Sequence, residues 1–128
     1  MKAILPLLLL AGCATVPAAG VPVTGDWGGT HIGMHLDASG GRMDYDCASG
    51  TIGPVVPDGS GGFTASGTHT PGHGGPDREG EVMPTYATTF TGRVGGDRMD
   101  LRGRTENGIE LGPFELRRGA EPGIFRCL

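Results

Sequence analysis

From residue 25 onward, apolar and polar positions alternate in short runs separated by glycine-rich breaks. In residues 30–36, Ile32, Met34 and Leu36 share one face and His31, Gly33 and His35 the other, the period-two signature of a half-buried strand. After a turn over 37–41, Met43, Tyr45 and Cys47 alternate with Arg42, Asp44 and Asp46, which completes a hairpin and places Cys47 on the buried face. Residues 51–57 contain two prolines and read as an irregular or edge segment. Phe63, Ala65 and Gly67 then alternate with polar residues, and Tyr86, Thr88, Phe90, Gly92 and Val94 share the face of a further strand. Met99 and Leu101 point inward from the next, residues 109–118 form another that bends at Gly112-Pro113, and residues 124–128 form a terminal one.

The pattern predicts an all-β domain of about seven or eight short antiparallel strands, closed as a small barrel so that no edge is left exposed. A sandwich satisfies the same alternation. No segment after residue 13 has a helical period. The 26 glycines and 10 prolines fall between the alternating runs, where an antiparallel protein needs its turns. Only seven aromatic residues are available to fill the core. Residues 70–84 carry no periodicity and form a long, charged connection. On a rigid scaffold such loops concentrate binding residues, here His73, Asp77, Arg78, Glu79 and Glu81.

The N-terminus has a different pattern. Lys2 precedes an apolar run from Ile4 to Leu10, followed by Ala11 and Gly12, the order of a secretory signal peptide. The run is too short to span a bilayer, which takes about 20 residues. Leu10-Ala11-Gly12-Cys13 resembles the lipobox of bacterial lipoproteins at each position. The resemblance implies removal of residues 1–12, acylation of Cys13 including palmitate-type chains, and stable attachment to a membrane. Ala14 in place of aspartate implies the outer membrane, with the protein facing the periplasm. Residues 13–24 are then the lipidated cysteine and a flexible tether, and residues 25–128 a single β domain.

With Cys13 acylated, Cys47 and Cys127 remain as an even pair in an oxidising compartment. A disulfide between them closes a loop of about 80 residues, which the chain-entropy model values at roughly 4–5 kcal/mol. The formal charge of −4 argues against nucleic acid as a partner. The expected partners are the membrane, through the lipid, and a protein of the envelope.

Candidate chemistry is sparse, and the reading is of a non-catalytic module without a cofactor. No Gly-x-Ser-x-Gly elbow, phosphate-binding loop or His-Glu-x-x-His occurs. Ser39, Ser49, Ser60 and Ser66 lie in or near expected turns, and Asp44 and Asp46 on a solvated strand face. His31 and His35 are about 13 Å apart along one strand and cannot share an ion. The alternative metal site is His31 with His69 and His73, the last two straddling a turn; four solvated histidines is the simpler expectation. The body from Trp27 resembles a small β-rich lipoprotein type. Tyr45, Cys47 and Cys127 also resemble the cysteine framework of the membrane-bound inhibitors of C-type lysozyme. Ala65-Ser66-Gly67 matches that family's inhibitory Ser-Gly element and marks Ser66. The family's tyrosine does not follow, since Thr68, His69 and Thr70 stand there, and its lysine has no counterpart beyond Lys2.

Overall fold

The computed structural model describes residues 19–72, 79–80, 82–125 and 127. All regular elements among them are strands: β1 (Gly25–Gly29), β2 (Ile32–Asp37), β3 (Gly40–Tyr45), β4 (Ala48–Ile52), β5 (Gly62–Pro71), β6 (Tyr86–Gly95), β7 (Arg98–Thr105) and β8 (Glu110–Arg118). They pair antiparallel in chain order and close as an eight-stranded barrel, β8 returning to β1. The barrel, not the sandwich, is therefore the fold.

The alternation supplies the interior, and the β8–β1 pairing closes it. Ile32, Met34 and Leu36 of β2, Met43 and Tyr45 of β3, Phe63 and Ala65 of β5, Phe90 and Val94 of β6, and Met99 and Leu101 of β7 all point inward and are buried. An eight-stranded barrel has an interior about wide enough for such side chains to fill. Trp27 joins them from β1, and the Arg118 guanidinium lies 4.5 Å from its ring centroid.

Three segments differ from the sequence expectation, the C-terminal strap, β4 and the tether, and a fourth, β1, had no expectation of its own. Residues 25–29, Gly-Asp-Trp-Gly-Gly, form a full strand although glycine weakens strands. The reason lies outside the barrel. Residues 119–125 do not form a strand but run back over β1 and β2 as a strap. A Cβ on Gly28 would sit 2.1 Å from the Ala120 carbonyl oxygen, and one on Gly33 would sit 2.6 Å from Cγ of Pro122. The glycines let the strap cross. Second, β4 is a central strand bonded to both β3 and β5, and the irregular stretch begins only at Gly53. Val55 and Pro57 of that stretch plug the barrel. Third, the end of the expected tether is docked. Val23 is buried and donates its N–H to Val55 O at 2.8 Å, and Gly20 N donates to Pro57 O at 3.1 Å.

The strand directions define two ends. The near end holds residues 20–24, the β2–β3 and β6–β7 turns and the β4–β5 crossover. Asp37 and Asp58 organise two of these connections. Each carboxylate accepts from the N–H and hydroxyl of the serine two residues on, Ser39 or Ser60, which holds its pKa below the ordinary carboxylate range. The far end holds turns 30–31, 46–47 and 106–109 and the two described ends of the β5–β6 connection, Gly72 and residues 82–85. That connection starts later than the expected loop, because Thr70 and Pro71 pair with Ser49 and Ala48 in the ladder.

Candidate functional site at the far end of the barrel

The far end is built around the β3–β4 turn. Cys47 is not an inward strand residue. It sits in the two-residue turn after Tyr45 at φ +53°, half-buried, and forms a disulfide with Cys127 across a Cα–Cα distance of 4.8 Å. That separation lies in the ordinary disulfide range. The terminal segment reaches it as irregular chain and packs directly on the turn. Phe125 N donates to Asp46 Oδ1 at 2.7 Å, and Cys47 N donates to Phe125 O at 3.3 Å. Asp46 is thus a structural acceptor and not a solvated strand residue. Asp44 is exposed, 3.9 Å from Arg42.

His31 occupies the β1–β2 turn at φ +71°. Its N–H donates to Gly123 O at 2.9 Å, its Nδ1 contacts the Asp46 carboxylate, and its ring lies 5.2 Å from that of Phe125. Phe125 itself is 66% exposed. The strap therefore presents an aromatic ring to solvent on backbone held by a disulfide and two hydrogen bonds.

His69 departs from the expectation of a surface histidine. It continues the inward parity of Phe63, Ala65 and Gly67 and is buried at the far end of the interior. Its ring stacks on Tyr45 with centroids 5.5 Å apart, and Nδ1 lies 2.7 Å from the Tyr45 hydroxyl. That hydroxyl donates to Ser49 O at 3.2 Å and accepts from Nδ1 when that nitrogen carries the ring proton. Burial, with the charge of Asp44, pushes the Tyr45 hydroxyl up to about 12, and burial lowers the His69 pKa. Both groups are therefore neutral near pH 7, and they form a buried hydrogen-bonded polar contact at the far end of the interior. The spacing from Phe63 carried the signal for His69; its tyrosine partner lies two strands away in the ladder and had none.

A pH dependence follows. The unfolded chain protonates residue 69 near its ordinary 6.5, whereas the folded chain resists until a lower pH. Unfolding then takes up a proton, so stability falls as pH drops through 6.5 and levels off below the folded pKa. Melting curves at pH ~5 and ~7.5 should show a lower Tm at pH ~5, and His69→Gln should remove part of that difference. An unchanged difference in the variant would deny His69 the role.

The remaining candidates fall in different places. His35 is exposed on β2, with Nδ1 2.6 Å from Asp26 Oδ1. His31 faces the strap outside the barrel and His69 its interior, so these two are not brought together as metal ligands. Among the described residues no group of three His, Cys, Asp or Glu side chains converges. Ser66 and Ser49 are not turn residues; Ser66 is exposed in the middle of β5, paired with Thr89, and Ser49 lies in β4. Glu79 is exposed, while Cys13, His73, Asp77, Arg78 and Glu81 lie outside the described residues. The base of the loop is clear. Gly72 N donates to Cys47 O at 2.7 Å, a Cβ on Gly72 would lie 3.2 Å from Cys127 Sγ, and the Thr70 and Thr85 hydroxyls meet at 2.9 Å. The loop thus departs from the disulfide itself. No protein-family model, curated protein or solved structure matches the chain.

Proposed function

We propose that the protein is a non-catalytic binding module, held in the outer membrane through lipidated Cys13, facing the periplasm, and that it meets an envelope protein with the far end of its barrel. The observation that carries this reading is the polarity of the chain. Residues 20–23 dock at the near end, whereas the disulfide, the base of the 72–85 connection and exposed Phe125 lie at the far end. A lipid on Cys13 draws the near end toward the membrane, since the six residues 14–19 reach at most about 20 Å. The far end then points away from the lipid.

A non-catalytic role is supported by how the polar groups are engaged: His31 with Asp46, His69 with Tyr45, and Asp46 also with the strap backbone. Anchoring is tested by detergent-phase partitioning. The wild type should enter the detergent phase and Cys13→Ala the aqueous phase; equal partitioning would remove the anchor. Orientation and contact are tested by a photo-crosslinking amino acid placed at Phe125 or at Ser39 in intact cells. A protein adduct is expected from Phe125 and not from Ser39. Adducts from Ser39 alone would place the contact face at the opposite end.

A further inference from the structure

The outward face of β7 is a row of charges. Arg98, Asp100, Arg102 and Arg104 are exposed and alternate with buried Met99, Leu101, Gly103 and Thr105. Three of the four meet opposite charge. Arg98 lies 3.6 Å from Asp100 and 3.5 Å from Glu115, and Arg104 lies 3.5 Å from Glu110, its cross-strand partner on β8. Glu115 is also reached by Arg117 at 3.9 Å. Arg102 has no such neighbour. The β7–β8 register shifts between Leu101, which pairs with Phe114, and Gly103, which pairs with Leu111. Gly112 and Pro113 fill that interval, so across from Arg102 stand one residue without a side chain and one without charge. On its other side Arg102 pairs with Thr91 of β6, and the next outward residue of β6 is Arg93.

The irregularity that leaves Arg102 unopposed also shapes the surface, as bulges do where they re-aim side chains. Beside it lies a groove of about 610 Å³, lined by Thr91, Arg93, Asp100, Arg102, Pro113 and Glu115. The two arginines are diagonal neighbours on one face, about 7–8 Å apart at the backbone, so their long side chains reach a common point. Arg93 leans toward the β4–β5 crossover. A Cβ on Gly61 would lie 3.6 Å from its Cγ, and its charge reaches Asp58. That carboxylate already accepts from the Ser60 N–H and hydroxyl and from the Gly62 N–H. Among the described residues neither Arg93 nor Arg102 forms an ion pair. The two acids of the groove, Asp100 and Glu115, both lie against Arg98. The groove therefore holds two guanidinium groups in surplus, on a chain whose formal charge is −4.

We propose that this groove binds the phosphate group of a phosphate monoester, with Arg102 as its main contact and Arg93 and the Thr91 hydroxyl beside it. Each guanidinium presents a planar fork of donors that matches phosphate oxygens. A carboxylate has two oxygens and is satisfied by one fork. A phosphate monoester has three free oxygens and takes both arginines and the hydroxyl at once. The groove exceeds a phosphate ion in volume, so the organic part of the ester lies against Pro113. Asp100 and Glu115 on the facing wall repel further negative charge, which favours a single phosphate over a polyanion. A soluble ester and a lipid headgroup offer the same chemistry. The site is on the side wall of the barrel and rests neither on the far-end contact nor on Cys13.

Glycerol 3-phosphate is the soluble probe, and phosphatidylcholine vesicles with or without phosphatidate are the lipid one. Both are applied to the full chain carrying Cys13→Ala, so that no lipid anchor draws it to vesicles. Followed by two-dimensional amide NMR at constant ionic strength, glycerol 3-phosphate should bind with a low-millimolar Kd. Resonances of residues 91–93, 100–102 and 114–115 should shift. Arg102→Gln should weaken binding about tenfold and Arg93→Gln by less, while Arg102→Lys, which keeps the charge but not the fork, should fall between wild type and Arg102→Gln. Arg104→Gln removes the same charge outside the groove and should leave binding unchanged. All of these side chains are exposed, so the barrel persists in each variant. Vesicle flotation separates the sources. Phosphatidate-dependent binding that is lost in Arg102→Gln assigns a lipid headgroup, and binding of the soluble probe alone assigns a soluble ester. Equal shifts from sodium chloride, equal losses in Arg102→Gln and Arg104→Gln, or failure of both probes would overturn the groove as a phosphate site. The crosslinking result at Phe125 stands or falls separately from each of these.

Discussion

Replacing Cys47 and Cys127 together by serine should lower the free energy of unfolding by about 4–5 kcal/mol, the value of the chain-entropy model for a loop this long. The two cysteines are 80 residues apart, so the cross-link removes a wide range of conformations from the unfolded chain. A domain of this size has roughly 5–15 kcal/mol in total, so the loss is a large fraction of its stability. The native barrel should survive, because closure runs through β1 and β8 and not through the bridge. The strap should loosen from its tip. Phe125 and Cys47 share a hydrogen bond beside the disulfide, whereas Gly123 is held on β1 by its N–H to Gly29 O at 3.0 Å and by the His31 N–H. Amide exchange should therefore accelerate at Cys47 and Phe125 before Gly123. Urea melts of wild type, wild type with reductant and the double serine variant should place the last two together at a lower midpoint. Coincident midpoints for all three would show that the bridge adds nothing to the fold.

Phe90→Ala should cost about 3–5 kcal/mol, the range for a large aromatic removed from a packed core. Phe90 is fully buried on β6 and its ring lies over two glycines on the neighbouring strands. A Cβ on Gly67 would stand 2.9 Å from the ring and one on Gly103 2.8 Å from it. A Cβ on Gly67 would also stand 2.0 Å from the Thr51 carbonyl oxygen, so that position has no room for a side chain in any background. The atoms nearest to a Cβ on Gly103 all belong to the side chains of Phe90 and Leu111. Its lack of a side chain is thus a direct consequence of the phenylalanine. Gly103→Ala should destabilise the wild type, although alanine at a strand glycine ordinarily helps by restricting the unfolded chain. In the Phe90→Ala background the same methyl group enters vacated space and should stabilise. A double-mutant cycle by urea denaturation measures this reversal of sign. Additive effects would mean that Gly103 is constrained by its backbone and not by the ring.

The inward faces of β2, β3, β5, β6 and β7 were legible along the chain, because each strand has one buried side and alternation records which residues lie on it. The pairing of Cys47 with Cys127 was expected from the cysteine count and the oxidising compartment that the N-terminal resemblance implies, and the structure contains that disulfide. His69 was expected among the solvated histidines, although its parity with Phe63 marks the inward face on which the structure places it. Other features had no local signal. Alternation names a face but not a neighbour, so it left barrel and sandwich equal and could not join His69 to Tyr45. Glycine has no pattern of its own, so β1 carried no strand signal, and the strap crossing Gly28 and Gly33 gives the reason for its glycines. Cys47 looked like the next inward residue after Tyr45, but the chain turns at φ +53° and sends it to the strap instead. Residues of the sequence therefore determined which side chains avoid water, a property each residue carries locally. Only the tertiary structure decided which strands meet and what the histidines touch, because those depend on register and closure between segments far apart in the chain.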